Sequence, residues 1–330
     1  MPRPSLAQLE AGILSGDRAM LARAITLVES RREDDTTQAE ELLEKLMPVT
    51  GRAARIGMSG VPGAGKSTLL EGLGTMLITR GLRVAVLAVD PTSFASGGSI
   101  LGDKTRMPRL SNAPEAFVRP SPSATTPGGI ARRTREAMML CEAAGFDVVI
   151  VETVGVGQGE VAVGDMVDSF VAVLIAGAGD DLQGIKKGIL EQVDIVAINK
   201  ADGEGVIRAK LAARELGAAM HFQAARASGF SPKAIAVSAL EGTGLVDLWA
   251  LVEAHRAALL ETGELVRVRA QQQAKWMWSL VEERAMTSLR QRVRSSAALV
   301  DLERDVIDGR AWAPRAARAI TATLLSADLA

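Results

Sequence analysis

The stretch Gly60-Val61-Pro62-Gly63-Ala64-Gly65-Lys66-Ser67 fits the pattern Gly-x-x-x-x-Gly-Lys-Ser/Thr, with an apolar run before it (residues 55–58) and a helix-periodic segment after it (residues 67–79). That order, strand then loop then helix, is the context the pattern requires. Small residues let the backbone wrap around a β-phosphate with successive N–H groups pointing inward, and the positive end of the helix adds to the attraction. Lys66 is then expected to reach the β- and γ-phosphates, and the hydroxyl of Ser67 to ligate Mg²⁺. A chain that carries this loop is committed to an α/β fold.

Residues 54 to 261 bear out that commitment as a pattern. Short β-branched runs at 55–58, 84–89, 116–119, 148–152, 170–175, 195–199 and 234–238 alternate with helical segments, which predicts a doubly wound, mostly parallel sheet of seven strands. Residues 1–50 show helical periodicity, through Leu6, Leu9 and Ile13 and then Leu21, Ile25 and Val28, with Asp17 and the Thr36-Thr37 pair as N-cap candidates. They read either as helices leaning on the main domain or as a partner-binding arm. Beyond Gly263 the strand pattern stops, and helices follow, broken near Asp308-Gly309 and Pro314. Trp276, Trp278, Leu280, Met286 and Leu289 give that segment large apolar side chains, suited to packing on the main domain or to self-association. The division expected is 1–50, a helical arm; 51–262, the nucleotide domain; and 263–330, a helical extension.

Two later motifs choose the base. Asn199-Lys200-Ala201-Asp202 follows one strand and Ser238-Ala239-Leu240 follows the last, both at the end of the sheet where open α/β sheets bind ligands. The Asp202 carboxylate can accept from the N1 and N2 donors of guanine, a pair that adenine lacks, and the wrong base leaves buried polar groups unpaired. Guanine nucleotide, GTP or GDP, is therefore the expected ligand. Asp90 ends the second strand and is expected beside the phosphate loop at the mouth of the sheet, whereas Glu152 ends the fourth and is expected to hold Mg²⁺ directly or through water, with Gly155 meeting the γ-phosphate. The segment Glu152-Thr-Val-Gly155 has Glu where ordinary GTPases have Asp.

Between strands, the glycine- and charge-bearing segment from Gly97 to Arg106 reads as a switch loop, with Asp103 either ligating the metal or orienting water, or as a solvated loop. A second such loop, Gly177 to Gly188, carries Asp180, Asp181, Gln183, Lys186 and Lys187. No glutamine directly follows Gly155, and Gln158 is displaced. Slow intrinsic hydrolysis, raised by a partner through Lys186, is the expectation; full stimulated turnover in Lys186→Ala would remove it.

Composition narrows the rest. With 38 basic and 39 acidic residues the chain lacks the basic footprint of a nucleic-acid binder, and neither nucleic acid nor an anionic membrane is expected as partner. The run 170–178 is too short to span a bilayer, and the first ten residues do not form a secretion signal, so a cytoplasmic protein is expected. One cysteine, Cys141, and two histidines, His221 and His255, speak against disulfides and against the Cys- or His-rich ligand set of a nickel-enzyme maturation GTPase. The 12 methionines are scattered, unlike the groove of a protein-targeting GTPase. A pure binding module without turnover stays open.

The runs from Gly60 to Thr68, Val86 to Ser93, Gly97 to Met107 and Val151 to Gln158 resemble the MeaB/ArgK/MMAA family, over residues 54 to 250. The resemblance implies a GTPase metallochaperone of the SIMIBI class that gates adenosylcobalamin loading and protects methylmalonyl-CoA mutase, and a homodimer joined by its C-terminal extension. It also implies metal-site carboxylates at Asp90, Asp103 and Glu152, base recognition at Asn199 and Asp202, and a switch lysine at Lys186. Alternatives are a chaperone of a sibling acyl-CoA mutase, or a transport-linked ATPase or kinase of the LAO/AO (ArgK) type, against which Asn199 and Asp202 speak.

Overall fold

The computed structural model describes residues 3–30, 32–90, 107–122, 127–153, 159–177, 192–221 and 227–326. The chain divides into two compact units, Met1–Gln272 and Gln273–Ala330.

In the first unit seven strands form one sheet: β1 (Ala54–Gly60), β2 (Val84–Asp90), β3 (Ala116–Pro122), β4 (Val148–Thr153), β5 (Ser169–Ile175), β6 (Ile195–Asn199) and β7 (Lys233–Ala236). Their order is β3-β2-β4-β1-β5-β6-β7, and all six pairings are parallel. β1 and β4 are buried along their whole length, as strands covered on both faces must be, which explains why they read as unbroken apolar runs. The chain leaves β1 toward β2 on one side and returns later to β5 on the other. The crevice where the winding reverses lies at the C-terminal end of β1, directly before the phosphate loop.

Helix α4 (Lys66–Thr79) covers one face with Leu69, Leu70, Leu73 and Leu77, each almost fully buried and worth about 1.5–3 kcal/mol of apolar burial. They join Ile56, Met58, Val86, Ile150, Val171 and Val173 of the strands in one core. α5 (Pro108–Asn112), α6 (Pro127–Ala143), α7 (Gly159–Gly164), α8 (Gly205–His221) and α9 (Leu245–Glu261) complete the described cover.

The N-terminal helices α1 (Leu6–Leu14), α2 (Arg18–Glu29) and α3 (Glu33–Leu46) pack on α6 within this unit. Their buried residues include Leu9, Ile13, Leu21, Ile25 and Val28, the positions of the apolar period. Arg119–Glu29 and Arg132–Glu40 ion pairs and the Arg18 bond to the Ala113 carbonyl hold them there. Asp17 caps α2 through the Ala19 and Met20 N–H groups. Thr36 and Thr37 are not caps: α3 already begins at Glu33, and both hydroxyls donate backward to the Arg32 and Glu33 carbonyls. Glu33, Asp34 and Asp35 in the first turn favour the earlier start by complementing the helix dipole.

At the far end of the sheet, buried charges are fully paired. Glu142 accepts two bonds from Arg55, each of 2.8 Å, and one from the Gly51 N–H. Asp168 accepts from the Arg55 N–H and from Arg269, which sits on α10 (Glu264–Ser295). The Gln272 amide donates to the Val167 carbonyl. These bonds account for the first unit continuing to Gln272.

In the second unit α11 (Ala297–Ile307) packs on α12 (Ala313–Ser326). Gly309 turns between them at φ +72°, and Arg310 fastens the turn by ion pairs to Asp305 and Asp308.

Candidate functional site

The phosphate loop is built by exclusion. Gly60 ends β1 at φ +155°, where a Cβ would lie 2.0 Å from the Val173 carbonyl oxygen of the neighbouring strand. Only glycine lets the loop leave the sheet this close to β5. Gly65, at φ +84°, is the N-cap of α4, and a Cβ there would lie 2.6 Å from Asn199 Nδ2. Val61 and Ala64 turn inward and are buried, whereas Pro62 and Gly63 are exposed. Among the described residues no side chain caps α4, so its first N–H groups stay available to an anion. Lys66 is buried, and its Nζ donates to the carbonyls of Gly60 (2.6 Å) and Val61 (3.2 Å). The ammonium thus lies across the loop, where phosphate oxygens can replace those carbonyls.

Ser67 and Glu152 come from distant parts of the sequence to one place. The Ser67 hydroxyl donates to Glu152 Oε1 at 3.3 Å, and Glu152 is 4% exposed near the end of β4. Two hard oxygen donors beside an open helix N-terminus are the donor chemistry Mg²⁺ takes, so these residues fit that ion. Thr68 is exposed on the first turn of α4. Asp90 ends β2 one residue beyond the Val89–Thr153 pairing, which sets its backbone at the same edge of the sheet; its side chain lies outside the described residues. Asp103, Arg106, Gly155, Gln158, Lys186 and Lys187 lie outside them altogether. Among the described residues no group of three or more His, Cys, Asp and Glu forms a metal cluster.

The loops after β6 and β7 are locked to the loop after β1. Asn199, 2% exposed, donates from Nδ2 to the Ala64 carbonyl (2.7 Å) and accepts at Oδ1 from the Ala239 N–H (3.0 Å). One side chain therefore ties together three segments that the sequence separates widely. Lys200 takes φ +61°, the one positive φ of a non-glycine among the described residues. Strain of this kind clusters at functional sites. Ser238 donates to Asp202 Oδ2 at 2.6 Å and accepts from the Glu241 N–H, which fixes the carboxylate's orientation. Leu240 is 81% exposed at the outer edge of that loop.

Ile175, Ala176, Asn199, Lys200, Asp202, Gly205 and Arg208 line a cavity of about 230 Å³. Ile175, Ala176, Gly205 and Arg208 were not among the residues the motifs singled out. Gly205 carried a signal in hindsight: a Cβ there would lie 2.5 Å from the Lys200 carbonyl, so a glycine is needed to bring α8 against the loop.

Elsewhere, His255 is buried and shares a 2.8 Å hydrogen bond with Ser169, far from any metal-ligand set. Burial pushes the Cys141 thiol well up, consistent with an inert packing residue.

With this geometry in place, comparison with known proteins is decisive. A family model described as "Methylmalonyl Co-A mutase-associated GTPase MeaB" matches residues 21–294. The chain belongs to the MeaB family. A protein of Caulobacter vibrioides named as a GTPase is 52% identical over 317 residues, covering 96% of this chain and 97% of that one. The mouse protein named "Methylmalonic aciduria type A homolog, mitochondrial" is 42% identical over 320 residues, 94% of this chain and 77% of the relative. Among solved structures, one titled a LAO/AO transport system kinase superposes with a TM-score of 0.76 at 37% identity, covering 98% of this chain and 99% of the other. This MeaB-family chain is a P-loop GTPase that takes guanine nucleotide. Among the described residues no helix is long and apolar enough to cross a membrane.

Proposed function

We propose that this GTPase is a metallochaperone: with Mg²⁺ it binds and hydrolyses GTP to gate adenosylcobalamin loading into methylmalonyl-CoA mutase, and to protect or reactivate that enzyme. The observation that carries the reading is the family match, whose description associates the family with that mutase over 274 of the chain's residues, from 21 through 294. In this reading Ser67 and Glu152 hold the metal, joined by Asp90 and Asp103, and the ion supplies charge neutralisation at the β- and γ-phosphates. Lys66 and the α4 N-terminus bind the phosphates, Asn199 holds the loops in register, and Asp202 reads the base. Lys186 is the residue through which the client raises a slow intrinsic rate.

Residues 263–330, which include the second unit, are read as the dimerisation extension of a cytoplasmic homodimer. Met277, Trp278, Val281, Met286, Ile307 and Trp312 leave large apolar surface exposed there, between 46% and 78% each, which supports self-association. Trp278→Asp is expected to shift the sedimentation of the protein toward monomer.

The test of the whole is phosphate release from GTP and from ATP, each with and without methylmalonyl-CoA mutase. GTP turnover stimulated by the mutase is the expected result. Equal use of ATP would overturn the base assignment, and indifference to the mutase would remove the chaperone role. The kinase title of the similar structure describes that protein; transfer of phosphate to an amino-acid transport component, rather than to water, would favour that reading instead.

A further inference from the structure

We propose that Arg208 is a base-contacting residue, whose guanidinium covers the exposed face of the guanine held by Asp202. This rests on the guanine reading above. Arg208 lines the small cavity together with Asp202, Lys200 and Asn199, on the first turns of α8. Its placement is built in rather than incidental. The Gly205 N–H donates to the Asp202 carbonyl at 2.8 Å, and the missing side chain of Gly205 lets α8 start against the Lys200 carbonyl. Arg208, three residues further on, is thereby brought to the wall of the cavity.

An exposed arginine on a helix can pair with an acidic residue one turn away on the same helix. Glu204 stands four residues before Arg208 but in the turn that precedes α8, and among the described residues Arg208 makes no hydrogen bond or ion pair. Its cation is therefore left to the cavity. Ile175 and Ala176 offer apolar surface on the β5 side, and Asp202 is oriented by Ser238 at the edge. For a purine seated with one face toward α8, a planar, weakly hydrated guanidinium is the side chain suited to lie on that face. The same group excludes water from the Asp202 hydrogen bonds, which strengthens discrimination among bases.

The test compares Arg208→Ala with Lys210→Ala, an exposed cation on the same helix that does not line the cavity. Affinity for GDP is measured by titration calorimetry, and affinity for inorganic tripolyphosphate, which has no base, by competition. Thermal unfolding of both variants checks the fold. Arg208→Ala is expected to weaken GDP by roughly three- to thirtyfold with tripolyphosphate unchanged, the range expected for losing a partly desolvated cation–π contact. Lys210→Ala should leave both ligands unchanged. Equal weakening of GDP and tripolyphosphate, equal effects of the two variants, or unchanged GDP affinity would each overturn the proposal. Failure of the guanine reading shows separately, as equal affinity of the parent protein for ADP and GDP.

Discussion

Asn199 is the point at which the base loops and the phosphate loop depend on one atom group each, so its replacement has a calculable effect. In Asn199→Ala the Ala64 carbonyl and the Ala239 N–H both lose their partner, in surroundings where Ala64 is fully buried. Each orphan costs about 1–3 kcal/mol, the half-buried Ala239 N–H at the lower end, so the variant should lose about 2–6 kcal/mol of stability, read from the midpoint of urea unfolding. Part of the register between the loops must then be imposed by the ligand. GDP affinity is expected to fall by roughly ten- to a hundredfold, equivalent to about 1.4–2.8 kcal/mol. Asn199→Asp separates the two bonds. It keeps the acceptor for Ala239 but turns the donor toward Ala64 into a second acceptor on a buried charge. At pH 8 it should be less stable than Asn199→Ala. Burial raises such a carboxyl's folded pKa, so its penalty is present above that pKa and is relieved as pH falls through it, when the protonated oxygen can donate to Ala64. An Asn199→Asp protein that matches the parent at pH 8, or that grows less stable relative to Asn199→Ala as pH falls, would refute the clamp.

Gly60→Ala should cost at least about 3 kcal/mol and abolish GDP binding, because its Cβ would fall 2.0 Å from the Val173 carbonyl at the Gly60–Val173 pairing; a variant with normal unfolding and titration curves would contradict this. Glu142→Ala strands buried Arg55 at the opposite end of the sheet, and is expected to lower stability by about 3–5 kcal/mol in chemical unfolding while GTP turnover below the unfolding transition stays intact. Burial outweighs the Arg132 ion pair and raises the Glu136 carboxyl above its ordinary range. The raised pKa means that the folded chain holds this proton more tightly, so the cost of the ionised form is present above the folded pKa and disappears as pH falls through it. The stability difference between Glu136→Gln and the parent should therefore shrink toward acid pH, and a difference that widens there would be inconsistent with the burial.

What the sequence made legible follows from how far apart the cooperating residues stand. The seven strands read out because a parallel sheet covered on both faces demands consecutive apolar residues, as in β4, and no distant partner is needed to see them. The phosphate loop read out because its glycines, lysine and serine all stand in one short segment. Thr36 and Thr37 have the residue type of caps, but the acidic triplet just before them starts α3 earlier. The contacts that join segments were not legible at all. Ser67 meets Glu152 across 85 positions, Asn199 meets Ala64 across 135, and Arg55 meets Glu142 across 87. Motif spacing identifies Ser67, Glu152, Ala64 and Asn199 without showing which of them touch, and it names neither Arg55 nor Glu142 as partners. Arg208 is the extreme case: its residue type and position match a solvated helix surface, and its role emerges only when α8 is seen to start against the Lys200 carbonyl and deliver it to the wall of a cavity. The residues proposed to bind phosphate thus stand together in one segment, whereas those proposed to couple phosphate to base meet only in the fold, and substitutions at Asn199, which a motif names, and at Arg208, which none does, test that coupling.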